Sequence, residues 1–335
     1  MTRPSTDRSS APGADTSAAG RPPRLGTWLR IAGTVALGAF VVAKAGPSGV
    51  LSAAAGAQPG LLGLAVLLYV VDRFAAAARW RMLYVARGHR LDFLTSTRIY
   101  LQSSFLGAAL PSGVGGDIIR ARMVARDGEA FRHAISSVVL ERLLGTVALV
   151  VMACVCLALF GPRTSWAAAI PYLVAGAVVA ALGAAMVLGP PVPDRWPGNL
   201  HGFPRAVVSF LIDVHERVRG YGRLPGVLAV SSAIAFGQQI LLTGINWILA
   251  LALGLAIPLA AMLWMWPLVM LAVRLPISIL GFGVREALLL GLFAATGRPA
   301  AEAVLLGLAS GFLDLLFIAV GGVLLAVAPV RSEAR

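Results

Sequence analysis

The sequence predicts an all-α polytopic membrane protein, with about six clean transmembrane helices and two broken or re-entrant segments set in an inverted repeat. Three observations carry that prediction. Hydrophobic residues make up 58% of the 335-residue chain and charged residues only 13%, where a soluble domain is nearer half apolar and a quarter charged. Apolar runs of about 20 residues, the length a helix needs to cross the hydrocarbon, recur along the chain. The arginines collect in alternate connections, as the positive-inside rule requires.

Residues 1–25 are rich in Ser, Pro, Gly and Ala, cannot build a core, and read as a disordered cytoplasmic tail. A membrane domain then occupies 26–330. Clean spans are expected at about 27–45, 60–78, 133–160, 166–189, 227–253 and 303–328. The first follows basic residues and precedes "AAAGA", which resembles a signal-peptidase site; with so many spans behind it, a retained helix is expected. Two further apolar regions, 93–119 and 257–296, are interrupted near the middle by Leu-Pro and then glycines. About a dozen apolar residues before Pro111 are too few for a comfortable crossing, so a re-entrant hairpin is expected there. The second region fits either a hairpin or two short tilted helices. Segment 190–226 is expected to be a cytoplasmic loop.

The formal net charge of +13 invites a nucleic-acid reading, but topology explains it. The tail together with Arg30, 79–98, 120–132, 190–226 and the C-terminus hold 21 of the 28 Lys and Arg residues, and all fall on one side if the broken regions return to their own side. That side, with both termini, is expected to be cytoplasmic and the membrane to be the inner (cell) membrane. No nucleic-acid partner is needed.

An internal repeat follows. Residues 26–160 read as helix, helix, broken segment, helix starting from the cytoplasm, and 166–328 as the same order starting from outside. The turns rhyme, "LPSGVGGD" at 110–117 with "LPISILGFGVRE" at 275–286. Paired interrupted segments in opposite orientation point to a transporter with a site near the midplane.

Charges within these segments are the candidate chemistry, because each costs ~2.5–3.5 kcal/mol at the centre of a span and seeks a partner or a wet cavity. Asp117 stands at the start of an amphipathic stretch as an expected N-cap, with Arg120 on the same helical face. Gly115 and Gly116 leave amides near it free to meet an anion. Arg274, Arg285 and Glu286 bracket the second break. The expected alternatives there are phosphate recognition by Arg285, an Arg–Glu structural clamp, and an arginine snorkelling to the outer interface. Glu141 and Arg142 are adjacent in a clean span and point about 100° apart, so each needs its own partner, with Arg285 or Asp117 the candidates. Asp314 is the lone carboxylate of the last span. Asp72–Arg73 reads as a structural pair, and Gln102, Gln238 and Asn246 as interhelical hydrogen-bonding groups. Trp264 and Trp266 read as packing or an interfacial belt.

Other chemistries are poorly served. Cys154 and Cys156 lie too close for a relaxed disulfide and read as buried inert thiols. His89, His133, His201 and His215 make no ligand pattern, and "GVGGD" lacks the length and lysine of a P-loop. No metal or other cofactor is expected.

The stretches "SSFLGAALPSGVGGDIIRARMV", "SSVVLERLLG" and "RLPISILGFGVREALLL", in that order, resemble the lysylphosphatidylglycerol synthase transmembrane-region family, also called flippase-like domain proteins. The resemblance covers nearly all of 26–328. It implies a membrane domain associated with moving anionic or isoprenoid-type lipids between leaflets. In bifunctional members aminoacylation belongs to a separate soluble domain. With Arg335 close behind the last span, that domain is expected to be absent, and synthase activity is not carried over. The expectation is therefore a lipid transporter rather than an enzyme. Arg120, Arg285, Arg274 and the Gly115–Gly116 amides would hold an anionic head group. Asp117, Glu141, Glu286, Asp314 and Arg142 would balance charge or carry protons. The alternative is a membrane-embedded transferase, or its accessory subunit, acting on lipid-linked head groups. The partners expected are the lipid and either a second copy of the chain or a lipid-modifying enzyme.

Overall fold

A computed structural model describes residues 56–108, 115–125, 128–161, 166–190, 203–274 and 280–328. Ten α-helices make up this part: α1 Pro59–Val85, α2 Phe93–Ala108, α3 Gly115–Val124, α4 Gly128–Phe160, α5 Trp166–Leu188, α6 Phe203–Arg219, α7 Pro225–Ala252, α8 Leu259–Val273, α9 Val284–Ala295 and α10 Ala300–Val327. There is no strand among the described residues. Four of these helices, α1, α4, α7 and α10, are long and apolar enough to cross a membrane. The chain is an all-α polytopic membrane protein. The tail, the span expected at 27–45 and the two Leu-Pro turns lie outside the described residues.

Sequence and structure agree on why the other elements begin and end. Pro59 and Pro225 open α1 and α7 at positions where a missing N–H costs nothing. Asp92 caps α2, its carboxylate accepting the Thr95 N–H at 2.8 Å. Each broken region is two short helices: α2 and α3, of 16 and 10 residues, then α8 and α9, of 15 and 12.

The segment 190–226 departs from expectation. Within it Phe203–Arg219 is a helix, followed by a 3₁₀ turn at Gly220–Arg223. Val207, Phe210, Leu211, Val214 and Val218 recur at helical spacing; Val214 and Val218 are buried against the bundle, whereas Val207, Phe210 and Leu211 are exposed. Ion pairs tie α6 to α4: Arg217 to Glu129 at 2.7 Å and Arg132 to Asp213 at 3.3 Å.

The two halves repeat in order, a long helix, two short ones and a long one. Their long first helices, α1 and α7, pack together. They run antiparallel: the Gln58 N–H at the start of α1 donates to Ala252 O at the end of α7, 2.7 Å away. At the opposite end the Tyr221 hydroxyl donates to Leu83 O at 2.9 Å. The short helices trade places, α2 packing on α10 of the second half and α8 on α4 of the first. Reciprocal packing about an antiparallel pair is the signature of an inverted repeat.

The main core lies where α1, α4, α7, α8 and α10 converge, and buries Trp264, Met265 and Trp266. The tryptophans are therefore packing residues. Gln238 reaches the Asp72 carboxylate at 3.3 Å, and Gln102 donates to Leu324 O and Ala328 O at 3.1 and 2.8 Å. Cys156 is buried, but Cys154 is exposed, and neither is bonded.

Candidate functional site in the membrane-embedded bundle

A cavity of about 230 Å³ opens between α1, α2, α3, α4, the turn before α9, and α10. Asp314, one of its lining residues, stands at the middle of the 28-residue α10. At 1.5 Å per residue it lies roughly 20 Å from either helix end, near the depth of a bilayer midplane.

The two limbs of the first broken segment form one wall. They touch because both carry glycine at the crossing. A Cβ on Gly107 would come within 2.7 Å of Gly116 N, and one on Gly116 within 3.1 Å of Ser103 O. On the opposite wall the chain passes Leu280 in the left-handed region, φ 54°, before Gly281 and Gly283 at 79° and 84°. A leucine held there costs on the order of 1 kcal/mol, and Leu280 lines the cavity.

Two ion-pair networks meet at this cavity. In the first, Asp117 receives both a bidentate pair of hydrogen bonds from Arg142, each at 2.9 Å, and one from Arg120 at 3.2 Å. Arg120 also lies 2.8 Å from Glu141 Oε2, and Arg79 reaches Glu141 Oε1 at 3.4 Å. Arg120 is sandwiched, its guanidinium 5.0 Å from the Trp80 ring and 4.9 Å from that of Tyr100. In the second network Asp314 accepts from Arg285 at 2.6 Å and from the Tyr69 hydroxyl. Gly311 of α10 makes room for the Arg285 guanidinium, whose Nη1 a Cβ would approach to 3.0 Å. Arg73, bonded to Asp72, lies over the Tyr69 ring at 4.6 Å.

Gly116, Asp117, Arg120, Arg142 and Asp314 line the cavity. Glu141 stands behind it, and Arg285 behind Asp314. Gly115 is buried at the start of α3. Asp117 sits in the first turn of α3 rather than before it, and its oxygens go to arginines instead of capping amides. Of the partners expected for the adjacent pair, Asp117 does meet Arg142, whereas Glu141 pairs with Arg120 and Arg79 and not with Arg285. Arg274 and Glu286 are outside the lining. Arg274 bonds Thr146 and, at 3.4 Å, Gly145 O of α4. Glu286 accepts the Gly283 N–H at 2.6 Å and so closes the start of α9.

Sequence reasoning missed Tyr69 and Tyr100 and read Arg73 only as the partner of Asp72; all three line the cavity. It also placed Arg79 at the membrane surface, whereas its side chain is 8% exposed and faces Glu141. Arg142 goes the other way. Though mid-span, its side chain is 58% exposed, more accessible than the lining arginines Arg73 and Arg120. The signal for Tyr69 and Arg73 was their i,i+4 spacing on α1, which stacks a cation on a ring.

The sequence that builds this cavity matches a family model. Lysylphosphatidylglycerol synthase TM region is its description, and the match runs over residues 27–322. The chain belongs to that family. No curated protein matches it. Family membership makes this a multi-pass membrane protein related to lipid modification or transport, and the cavity lies inside the matched region.

Proposed function

We propose that this family member moves a lipid with an anionic head group, a phospholipid or a polyprenyl-phosphate-type lipid, between the two leaflets of the cell membrane. One observation carries the reading: a charged cavity at mid-span depth, built at a helix break, with Arg142 and Arg73 presented to it and Leu101, Leu280 and Ile318 beside them. A head group needs the cations, and the glycerol or prenyl portion needs the apolar wall. The first-turn amides of α3, at Gly116, lack intrahelical acceptors and add donors for a phosphate.

In this scheme the head group exchanges for Asp117 on Arg142, which offers a planar bidentate fork suited to phosphate. Arg120, in the lining, and Arg285, one layer back, keep Asp117 and Asp314 in place. Asp314, bonded to Tyr69 and Arg285, is the group that carries a proton or balances charge as the lipid passes. Both termini lie in the cytoplasm, with the arginine-rich end of the bundle facing inward.

The test is transfer of labelled phosphatidylglycerol, phosphatidylethanolamine and a polyprenyl phosphate in proteoliposomes. The expected result is accelerated transfer of at least one anionic lipid, abolished by Arg142→Gln together with Arg73→Gln. Transfer no faster than in protein-free liposomes across these lipids would remove the proposal.

A further inference from the structure

A second recess, of about 360 Å³, lies at the arginine-rich end of the bundle, where four elements converge: the end of α1, the start of α4, the 3₁₀ turn after α6 and the start of α7. Arg87, His133, Gly220 and Arg223 line it, and among the described residues no acidic one does. Arg87 is fourteen residues beyond Arg73 on the α1 path, roughly 20 Å along the helix axis from the mid-span cavity. The two sites are therefore separate.

We infer that this recess is a binding site for a phosphate-bearing anion. Its cations are uncommitted. Among the described residues, the arginines packed nearest the recess have carboxylates: Arg132 and Arg217 pair with Asp213, and Arg219 with Glu216 at 2.9 Å. Arg87 and Arg223 have no ion pair there. Arg87 is nevertheless held in place. Its guanidinium lies 5.3 Å from the Tyr221 ring centroid and against Gly220, where a Cβ would meet Nη1 at 2.9 Å. A fixed guanidinium loses little freedom when it forms a hydrogen bond.

The imidazole of His133 completes the site. Its Nε2 lies 2.8 Å from Arg217 Nη1, which can only donate, so that nitrogen accepts and the other remains a donor. Behind it His89 stacks on Tyr84, with ring centroids 4.7 Å apart. Burial, and then the charge of Arg87, lower the His89 pKa from its ordinary value. Among the described residues the lining thus offers two arginine forks and an imidazole and no carboxylate; Glu129, 3.9 Å from His133 Nε2, is held by Arg217 at 2.7 Å. It stands at the end of α1 and the start of α7, two helices long and apolar enough to cross a membrane, so a lipid phosphate at the end of such a span would be within its reach. A lipid head group and a soluble phosphate compound share the required chemistry.

The inference is independent of lipid movement through the cavity, and the test reads binding alone. Purified full-length protein in phosphatidylcholine nanodiscs is titrated with inorganic pyrophosphate by calorimetry. In the second arm, discs doped with phosphatidylglycerol are examined by native mass spectrometry for retained lipid. Arg223 is exposed, so Arg223→Gln leaves packing intact. Arg90→Gln removes the same charge from the same end outside the recess. Saturable binding weakened about tenfold by Arg223→Gln, the scale of one charge-assisted hydrogen bond, and less than about twofold by Arg90→Gln is the expected result. The arm in which it appears identifies the source, lipid or soluble anion. Absence of saturable binding in both arms, or equal weakening by the two substitutions, would overturn the inference.

Discussion

Replacing Glu141 by glutamine should destabilise the protein far more than a change of one atom type suggests. Its carboxylate is shared by Arg79 and Arg120, and the three side chains are 4%, 8% and 3% exposed. Glutamine has nearly the same shape and keeps one acceptor, so packing is preserved and only the charge is lost. Two unit charges 4 Å apart attract by ~4 kcal/mol at an effective dielectric of 20. Removing one partner of a buried ion pair typically costs ~3–5 kcal/mol, because the other charge is left without compensation. Here two arginines are affected, but Asp117 still neutralises Arg120 in part, which keeps the expectation at ~3–5 kcal/mol. At about 2 °C per kcal/mol for a chain of this size, the melting temperature falls by ~6–10 °C. Thermal unfolding in detergent, followed by tryptophan fluorescence, measures it directly, since Trp80 lies against Arg120. Adding Arg79→Gln should restore part of the loss, because the second substitution removes the charge that the first left unpaired. A melting temperature within about 1 °C of the wild type, or strictly additive losses in the double variant, would refute the reasoning.

Three further outcomes are expected. Arg142→Gln alters an accessible side chain, so its melting temperature should stay within about 2 °C of wild type while transfer of an anionic lipid falls at least tenfold; equal transfer would show that Arg142 does not contact the head group. Gly107→Ala drives a Cβ into the Gly116 backbone and should cost ~1–3 kcal/mol, whereas Gly63→Ala, with nothing within 4 Å, should be neutral or slightly stabilising. Equal melting temperatures for the two alanine variants would show that the hairpin limbs do not depend on that approach. Burial alone would raise the Asp213 pKa, but the hydrogen bond and charge of Arg217, joined by Arg132, outweigh it and hold the carboxyl below its ordinary 3.8. The unfolded chain therefore takes up the proton first. The stability advantage of the wild type over Asp213→Asn should be present at neutral pH and decline as the pH falls below about 3.8 through the lower folded value. An advantage unchanged between pH 7 and pH 3 would show that the charge on Asp213 contributes nothing.

The readable parts of the fold were those that depend on local chemistry. α4 and α10 announce themselves through unbroken apolar length, and the two broken segments through Leu-Pro followed by glycine, because proline and glycine act on the backbone they occupy. The Asp117–Arg120 pair was readable for the same reason, three residues apart on one helix. The helix at 203–219 was also present in the spacing of Val207, Phe210, Leu211, Val214 and Val218. It was obscured by the prolines and charges of the surrounding segment, which suit a loop equally well.

By itself the sequence determined that buried charges existed and that each required compensation, since a span has no water to solvate them. It did not determine the pairs. Asp314 meets Tyr69, 245 positions away, and Glu141 meets Arg79, 62 away, through contacts that exist only once α1, α4, α9 and α10 are packed. The same packing decided exposure against the local signal: Arg79, next to the polar end of α1, became buried, and Arg142, in the middle of a span, became open to a cavity. Charge and hydropathy are properties of a residue, but access to water is a property of the arrangement of helices around it.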